Sequence, residues 1–236
     1  IIDNSLGSGR SAFISFAEAF RKAAAQELDV GLEELVAGVQ PFKYSETAQS
    51  SRVFLTDALE NGAGYCSQLA KEETLARVLI KGMYEALSDQ WDSDEHRSSC
   101  DSSCPNCLRS YDNRHLHGQL DWRLALDVIE TCVDGEPNWD RWLSRAGVVA
   151  RAFGVNNSIE CFEIDGIWVL YSQEKQRAVV LSHPFWRSEV DYWIEEQRNV
   201  SQELRRRFGP DLSTRFTSVR KVNSHPQESY AWLISE

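Results

Sequence analysis

Three of the six cysteines in this sequence lie in one short segment, Cys100-Asp-Ser-Ser-Cys104-Pro-Asn-Cys107. Pro105 bends the two-residue gap between Cys104 and Cys107, which turns both sulfur atoms inward. Thiolates at this spacing can converge on one small cation, and the usual one is Zn²⁺, held tetrahedrally by sulfur and imidazole. A disulfide across so short a loop would be strained. The segment therefore predicts a zinc site with Cys100, Cys104 and Cys107 as ligands.

The spacing leaves the fourth zinc ligand open. His96 precedes the first cysteine of the segment by four residues, so one turn of helix would place both side chains on the same face. His117, like His115, could fold back from the loop after the cysteines, whereas Cys66 would have to arrive from elsewhere in the fold. Cys132 lies in an apolar helical pattern, where a cysteine is usually a small buried hydrophobic residue. We predict His96 first, then Cys66, then His117.

Composition describes a soluble globular chain with an acidic balance. Its 236 residues suffice for one large domain or two small ones. The formal net charge of -11 argues against nucleic-acid binding by bulk electrostatics, because phosphate neutralisation needs a basic face. A local basic strip at Arg205-Arg206-Arg207 could still contact phosphate, but a run of charged residues is usually a solvated surface. Since the sequence starts at Ile1 and no signal peptide follows, we expect a piece of a longer polypeptide.

Clustered cysteines without a secretory signal indicate a reducing compartment, so we expect a cytoplasmic protein. No apolar stretch approaches the length that spans a bilayer, and we expect no membrane partner.

The elements that must position the cysteines follow from hydrophobic periodicity. Apolar residues at three- and four-residue spacing predict helices over Ser11–Leu28, Thr74–Leu87 and Leu120–Val133. Leu35–Gln40 and Arg52–Asp57 are typical of short strands. The cysteine segment between the second and third helices is expected to be irregular.

The pattern changes after the break at Gly135-Glu-Pro137. It predicts a helix, three strands, a helix opened by Pro184 and closed by Gly209-Pro210, and two further strands. These elements are Trp139–Phe153, Ile159–Ile164, Ile167–Tyr171, Ala178–Ser182, Pro184–Phe208, Thr214–Val219 and Tyr230–Ile234. The predicted fold class is α+β, with a helix-rich, zinc-stapled domain over 1–135 and a small α/β domain over 136–236.

Three motifs occur in a fixed order in the first half of the chain: Asn61-Gly-Ala-Gly-Tyr65, then Cys100-x-x-x-Cys104-Pro-x-Cys107-Leu-Arg-x-Tyr111-x-Asn113, then Leu120-Asp-Trp-Arg-Leu-Ala125. Together they resemble the MrfA-type zinc-binding domain, over roughly Ser11 to Val133. That domain follows the motor domains of certain superfamily-two DEAD/DEAH-box helicases. Relatives occur in DNA repair helicases and in bacterial antiphage defence systems.

The resemblance implies a C-terminal accessory domain of an ATP-driven DNA translocase, with zinc as its cofactor. It carries metal binding over to Cys100, Cys104 and Cys107, although some relatives supply four cysteines and this cluster has three. The expected partners are the motor domains of the same parent chain, with DNA and further proteins as additional candidates. The sequence has no Gly-x-x-x-x-Gly-Lys-Ser/Thr phosphate loop, so we expect this fragment itself to be non-catalytic.

Two alternative functions come from other classes. The order helix, three strands, helix, strand resembles the core of restriction-endonuclease-like nucleases, which hold Mg²⁺ with carboxylates on adjacent strands. Asp165 and Glu174-Lys175 are the candidates for such a site, although they are predicted at turns. The other alternative is a protein-interaction module of an antiphage defence complex, which the negative charge suits.

Polar residues also crowd the segment after the cysteines. Asn113, Asp121 and Arg123 could orient the zinc ligands or meet a DNA backbone. The simpler interpretation is that Asp121 caps the following helix while Arg123 stays solvated. We favour the cap for Asp121, and the role of Asn113 stays open.

Overall fold

The computed structural model describes residues 2, 7–43, 49–59 and 62–235. This part of the chain is a mixed α+β structure that divides into two compact units, Ile1–Asn138 and Trp139–Glu236. None of its helices combines the length and the apolar character that crossing a bilayer requires. That each unit folds as an independent domain stays a prediction.

Helix α1, Gly7–Leu28, forms the centre of the first unit. It packs against helix α6, Trp122–Val133, and against the helical segment Arg77–Leu87. Its buried face is rich in alanine, and a Cβ atom added at Gly82 would lie 3.2 Å from the Cβ of Ala23. Small side chains therefore let these helices approach closely.

The predicted helix Thr74–Leu87 belongs to a longer helical stretch with an unusual middle. Helix α3, Glu72–Ala76, continues into the π-helical segment Arg77–Leu87 and then into helix α4, Ser88–Trp91. The buried residues of the π segment are Val78, Met83 and Leu87. Their spacing of five and then four residues fits the wider turn of a π-helix.

The two predicted strands of the first unit form one antiparallel hairpin. Strand β1, Leu35–Lys43, pairs with strand β2, Gln49–Asp57, so each strand is three residues longer than predicted. The hairpin is followed by helix α2, Tyr65–Leu69, and helix α5 covers Asp94–Ser99. Asn61, the first residue of the Asn-Gly-Ala-Gly motif, lies outside the described residues.

The second unit is a four-stranded sheet with helices. Helix α7, Asp140–Asn157, precedes the sheet, whose strand order is β3-β4-β5-β6. The first three strands are antiparallel and β6 runs parallel to β5. Helix α8, Glu195–Phe208, supplies the crossover between β5 and β6. The strands are β3 (Glu160–Ile164), β4 (Ile167–Ser172), β5 (Arg177–Ser182) and β6 (Ser213–Ser218).

Two predictions for the second unit are wrong. Pro184 does not open a helix: α8 begins only at Glu195, because side chains hold the preceding segment in turns. Gln197 donates to the Arg187 carbonyl over 2.8 Å, and the Trp193 indole donates to the Ser188 carbonyl over 3.0 Å. These bonds satisfy carbonyl groups that a helix would otherwise use.

The predicted strand Tyr230–Ile234 is helical instead. After helix α9, Val219–Ser224, the chain forms helix α10, Pro226–Ile234, with a proline in its first turn. Ser229 and Leu233, four residues apart, are its buried positions. A short apolar run does not separate strand from helix by periodicity, and here the burial period is that of a helix.

The structure separates the two candidate metal-binding positions of the proposed nuclease. Asp165 and Gly166 form the turn between β3 and β4, whereas Glu174 and Lys175 lie in the turn between β4 and β5. These turns are at opposite ends of β4, a distance of about 20 Å for a six-residue strand. One Mg²⁺ cannot bridge them, and β4 and β5 contain no Asp or Glu.

Candidate metal centre

Four potential metal ligands converge in the first unit: His96, Cys100, Cys104 and Cys107. One ligand atom from each lies within 4.8 Å of the others, and all are buried except the half-buried Cys104. Within the described residues this is the one such group of three or more His, Cys, Asp or Glu side chains. The structure thus brings together the three predicted cysteines and the first-ranked candidate for the fourth position.

Distances within the cluster fit a tetrahedral zinc ion. With Zn–S bonds of about 2.3 Å and a Zn–N bond of about 2.0 Å, two sulfurs lie about 3.8 Å apart and a sulfur and a nitrogen about 3.5 Å apart. The Sγ atoms of Cys100 and Cys107 are 3.8 Å apart. The Sγ atom of Cys104 lies 3.5 Å from Nε2 of His96. The donor set of three sulfurs and one imidazole nitrogen is that of a structural zinc site.

The orientation of His96 is set by its other ring nitrogen. Nδ1 lies 2.8 Å from the carbonyl oxygen of Trp91, which can only accept, so Nδ1 carries the proton. The lone pair of Nε2 therefore faces the sulfur atoms, as a metal-ligating imidazole requires. The ring also packs edge-on against Trp122, with centroids 5.2 Å apart. Local sequence makes this possible, because Ser93 caps α5 by accepting from the His96 backbone N–H.

The Cys104–Cys107 turn favours the thiolate form of one sulfur. The backbone N–H of Cys104 donates to Sγ of Cys107 over 3.0 Å. The hydrogen bond with Cys100 lowers the pKa of the Cys107 thiol, and the same contact raises the pKa of the Cys100 thiol. The remaining proton on Cys100 is the kind that metal binding releases.

Lys22 of α1 holds this turn from the side. Its ammonium group donates to the carbonyl oxygens of Asn106 and Cys107, over 3.1 and 2.9 Å. Burial lowers the pKa of Lys22, while the nearby sulfurs of Cys107 and Cys104 act in the opposite direction. A positive charge beside a cluster of thiolates compensates part of their negative charge.

The start of α6 closes the other side of the cluster. Asp121 caps the helix by accepting from the Arg123 N–H over 3.1 Å, as predicted. The Trp122 N–H donates to the Ser102 carbonyl over 2.9 Å. Arg123 is buried rather than solvated: its guanidinium donates to the Asp101 carbonyl over 2.6 Å and lies over the Trp122 ring. The loop from Cys100 to Cys104 is thus fixed through its backbone.

Asn113 joins the segment after the cysteines to α1. Its amide donates to a carboxylate oxygen of Glu18 and to the Leu108 carbonyl, both over 2.8 Å. Its own oxygen accepts from the Ser110 N–H over 2.9 Å. Arg21 extends this buried network by pairing with both Glu18 and Asp112. The role left open by the sequence is therefore structural, and only the three-dimensional contacts with α1 reveal it.

The other candidates for the fourth ligand lie elsewhere. Nε2 of His117 is 3.0 Å from Asn113 Oδ1 and 3.1 Å from the Ser110 carbonyl, and its neighbour His115 is exposed. Burial, with the Asp57 carboxylate nearby, raises the pKa of Cys66 to about 11, so this residue stays a neutral thiol. Cys132 is exposed at the end of α6. None of these residues joins the cluster.

Residues 12–108 match the profile of a family described as MrfA Zn-binding domain, abbreviated MZB. The matched segment contains all four residues of the cluster. The first unit contains an MrfA Zn-binding domain. Zinc is accordingly the cofactor that both the family and the donor set indicate.

One curated relative extends the comparison beyond the matched segment. The chain is 28% identical over 131 residues to a protein of Escherichia coli (strain UMEA 4076-1) named Druantia protein DruE. The aligned region is 52% of this chain but only 6% of that relative, so the chain corresponds to a small part of it. No solved structure matches the chain.

Proposed function

We propose that this chain is a zinc-stabilised, non-catalytic accessory region of an ATP-dependent DNA helicase, which assists the engagement of DNA or of a partner. The observation that carries the proposal is the cluster of His96, Cys100, Cys104 and Cys107 inside an MrfA Zn-binding domain. Domains of this type follow the motor domains of certain helicases, and on that ground we propose a helicase as the parent protein.

In this proposal all four cluster residues bind the zinc ion, and its role is structural. Four protein ligands complete a tetrahedron, which leaves no position for a water or a substrate. The ion would link α5, the Cys100–Cys107 loop and, through Trp122 and Lys22, helices α6 and α1. A loop fixed in this way offers a rigid surface to the motor or to a displaced strand.

The similarity to Druantia protein DruE supports a parent protein in a bacterial antiphage defence system. We further propose that the protein works in the cytoplasm, where thiols stay reduced and available to zinc. A purely protein-binding role in such a complex is the second candidate, and the net charge of -11 favours it. Steep weakening of DNA binding with salt would distinguish the DNA-engaging role.

Metal content tests the zinc assignment directly. The chain is purified without chelators under reducing conditions, and its zinc is measured by elemental mass spectrometry. One equivalent is expected, with loss of zinc and of thermal stability in Cys104→Ser but not in Cys132→Ser, whose cysteine is exposed and outside the cluster. Metal-free wild-type protein would overturn the assignment.

The helicase role is tested in the full-length parent protein. With Cys104→Ser, we expect ATP hydrolysis to persist while DNA unwinding falls, because the motor is intact but its accessory region is not. A parent without DNA-stimulated ATP hydrolysis would refute the helicase assignment even if the chain binds zinc.

A further inference from the structure

The β1–β2 hairpin has an outer face that its own unit leaves open. Alternate residues point to opposite faces of a strand, and Leu35, Val39 and Leu55 pack into the core with α1. The other face presents Val36 and Phe54, which are 48% and 45% exposed. Its members are Val36, Gly38, Gln40, Phe42, Ser50, Arg52, Phe54 and Thr56.

The Phe54 ring forms a flat platform on this outer face. Gly38 is directly opposite Phe54, and a Cβ atom at Gly38 would be 2.3 Å from Cζ of the Phe54 ring. The ring therefore lies across β1, with Gly38 beneath it. Phe42 is four residues further along β1 than Gly38, a distance of about 13 Å along the strand. The Phe54 ring offers an exposed face to a base, whereas the half-buried Phe42 ring holds a cation.

A cation lies over the Phe42 ring. Arg52 is exposed, and its Cζ atom is 4.1 Å from the centroid of the Phe42 ring. None of the eight residues of the outer face is Asp or Glu, in a chain with 36 acidic residues. The eight side chains therefore carry one positive charge and no negative charge, although the molecule as a whole is acidic. By contrast, Arg206 in the basic strip of the second unit is paired with Glu203 over 2.6 Å.

We infer that the outer face of the hairpin binds single-stranded DNA, with an unpaired base stacked on Phe54 and a phosphate paired with Arg52, which the Phe42 ring holds in place. This inference rests on the proposed helicase role and names the ligand of the accessory region. Aromatic side chains on an antiparallel sheet are a recurrent platform for unpaired bases, and such stacking tolerates any sequence. A duplex offers no free base faces, so the platform selects single strands.

The test uses the zinc-loaded chain and a labelled oligothymidine of about 12 nucleotides, a length within the usual site sizes, with anisotropy as the readout. Combined Phe42→Ala and Phe54→Ala substitutions should weaken binding at least about tenfold. Arg52→Gln should weaken it and reduce its salt dependence by about one phosphate contact. A duplex of the same length should compete poorly.

A matched control is available in the same unit. Tyr111 is 83% exposed and has Arg114 over its ring, 4.7 Å away, but it lies outside the hairpin. Tyr111→Ala should leave the affinity unchanged. Zinc content and thermal unfolding of every variant verify the fold. Photocrosslinking with 5-iododeoxyuridine should label the tryptic peptide that follows Arg52.

Several outcomes would overturn the inference. If the wild-type chain binds the oligonucleotide and the double variant binds it equally well, the site is elsewhere and the helicase role stands. If the zinc-loaded wild-type chain does not bind the oligonucleotide at low salt, the outer face does not bind DNA. The proposed function is then still tested separately, by the metal content of the chain and by DNA unwinding in the parent protein. If the substitutions abolish unwinding without affecting strand binding, the face contacts a protein.

Discussion

At the scale of single residues, the zinc site depends on which nitrogen or sulfur atom joins the three cysteines as the fourth ligand. His96 enters because Trp91 accepts the proton of its Nδ1, which leaves Nε2 facing Cys104. His117 has the same side chain in the same unit, but its Nε2 donates to oxygen atoms instead. One histidine is therefore placed for metal and the other for structure.

This difference gives a paired prediction. His96→Ala should increase the rate at which a chromogenic chelator removes zinc, because an imidazole ligand is lost from the tetrahedron. His117→Ala should release zinc at the wild-type rate, although it loses its contact with Asn113. The release kinetics of both variants, followed by absorbance, provide the measurement. Faster release from His117→Ala than from His96→Ala would contradict the assignment.

At the scale of elements, the segment that follows the cysteines is attached to α1 by Asn113. This side chain is buried and bonds to Glu18, Leu108 and Ser110. Removing it leaves several buried polar groups without a partner, each of which carries a desolvation cost.

We therefore expect Asn113→Ala to lower the free energy of unfolding by about 2–4 kcal/mol. His115→Ala, at an exposed position two residues away, should change it by less than about 0.5 kcal/mol. Chemical denaturation of the zinc-loaded proteins measures both. An Asn113→Ala variant as stable as the His115 control would show that the network contributes little.

The junction between β2 and α2 predicts a pH dependence. Asp57 accepts the backbone N–H groups of Cys66 and Gly64, both over 2.9 Å, and the bond from Cys66 is the main cause that lowers the pKa of its carboxyl group. A carboxyl whose pKa is lower in the folded state stabilises the fold above its unfolded pKa of about 3.9. That contribution disappears as the pH falls through the folded value.

Asp57→Asn should accordingly be less stable than wild type at pH values above about 5, with a constant difference there. The difference should shrink below about pH 4, since the wild-type carboxylate becomes protonated. Denaturation curves across this range provide the test, and taking differences removes the acid-induced loss of zinc common to both proteins. The exposed Asp89→Asn serves as the control and should show no such trend.

Sequence patterns predicted those elements whose local signals agree with the fold. The cysteine spacing predicted Cys100, Cys104 and Cys107, and the helical turn before them ranked His96 first among three open candidates for the fourth position. These four residues are close in sequence, and the structure brings them together. The π-helical turn at Arg77–Leu87 depends on packing against α1, which no local pattern records. The predictions for the segment after Pro184 and for α10 were wrong for a related reason. Long-range hydrogen bonds and burial decide there whether the chain forms a turn, a strand or a helix.

At the scale of the whole molecule, the four residues of the metal-ligand cluster and the four-stranded sheet belong to different units. All four cluster residues lie between residues 96 and 107 of the first unit, whereas the strands β3 to β6 lie in the second. Zinc binding to a site formed only in the folded state adds its binding free energy to the stability of the region that contains the site. Removing the ion should thus affect the two units unequally.

We expect a chelator to increase amide hydrogen exchange in α5, the Cys100–Cys107 loop and the start of α6, because zinc ties these segments together. Amides of β4 and β5 should keep their protection, since their sheet hydrogen bonds and buried valines do not involve the metal. Exchange measured by mass spectrometry with and without chelator tests this, with the zinc-reloaded protein as control. Equal loss of protection in both units would mean that the chain unfolds as one cooperative body and would reject the predicted two-domain organisation.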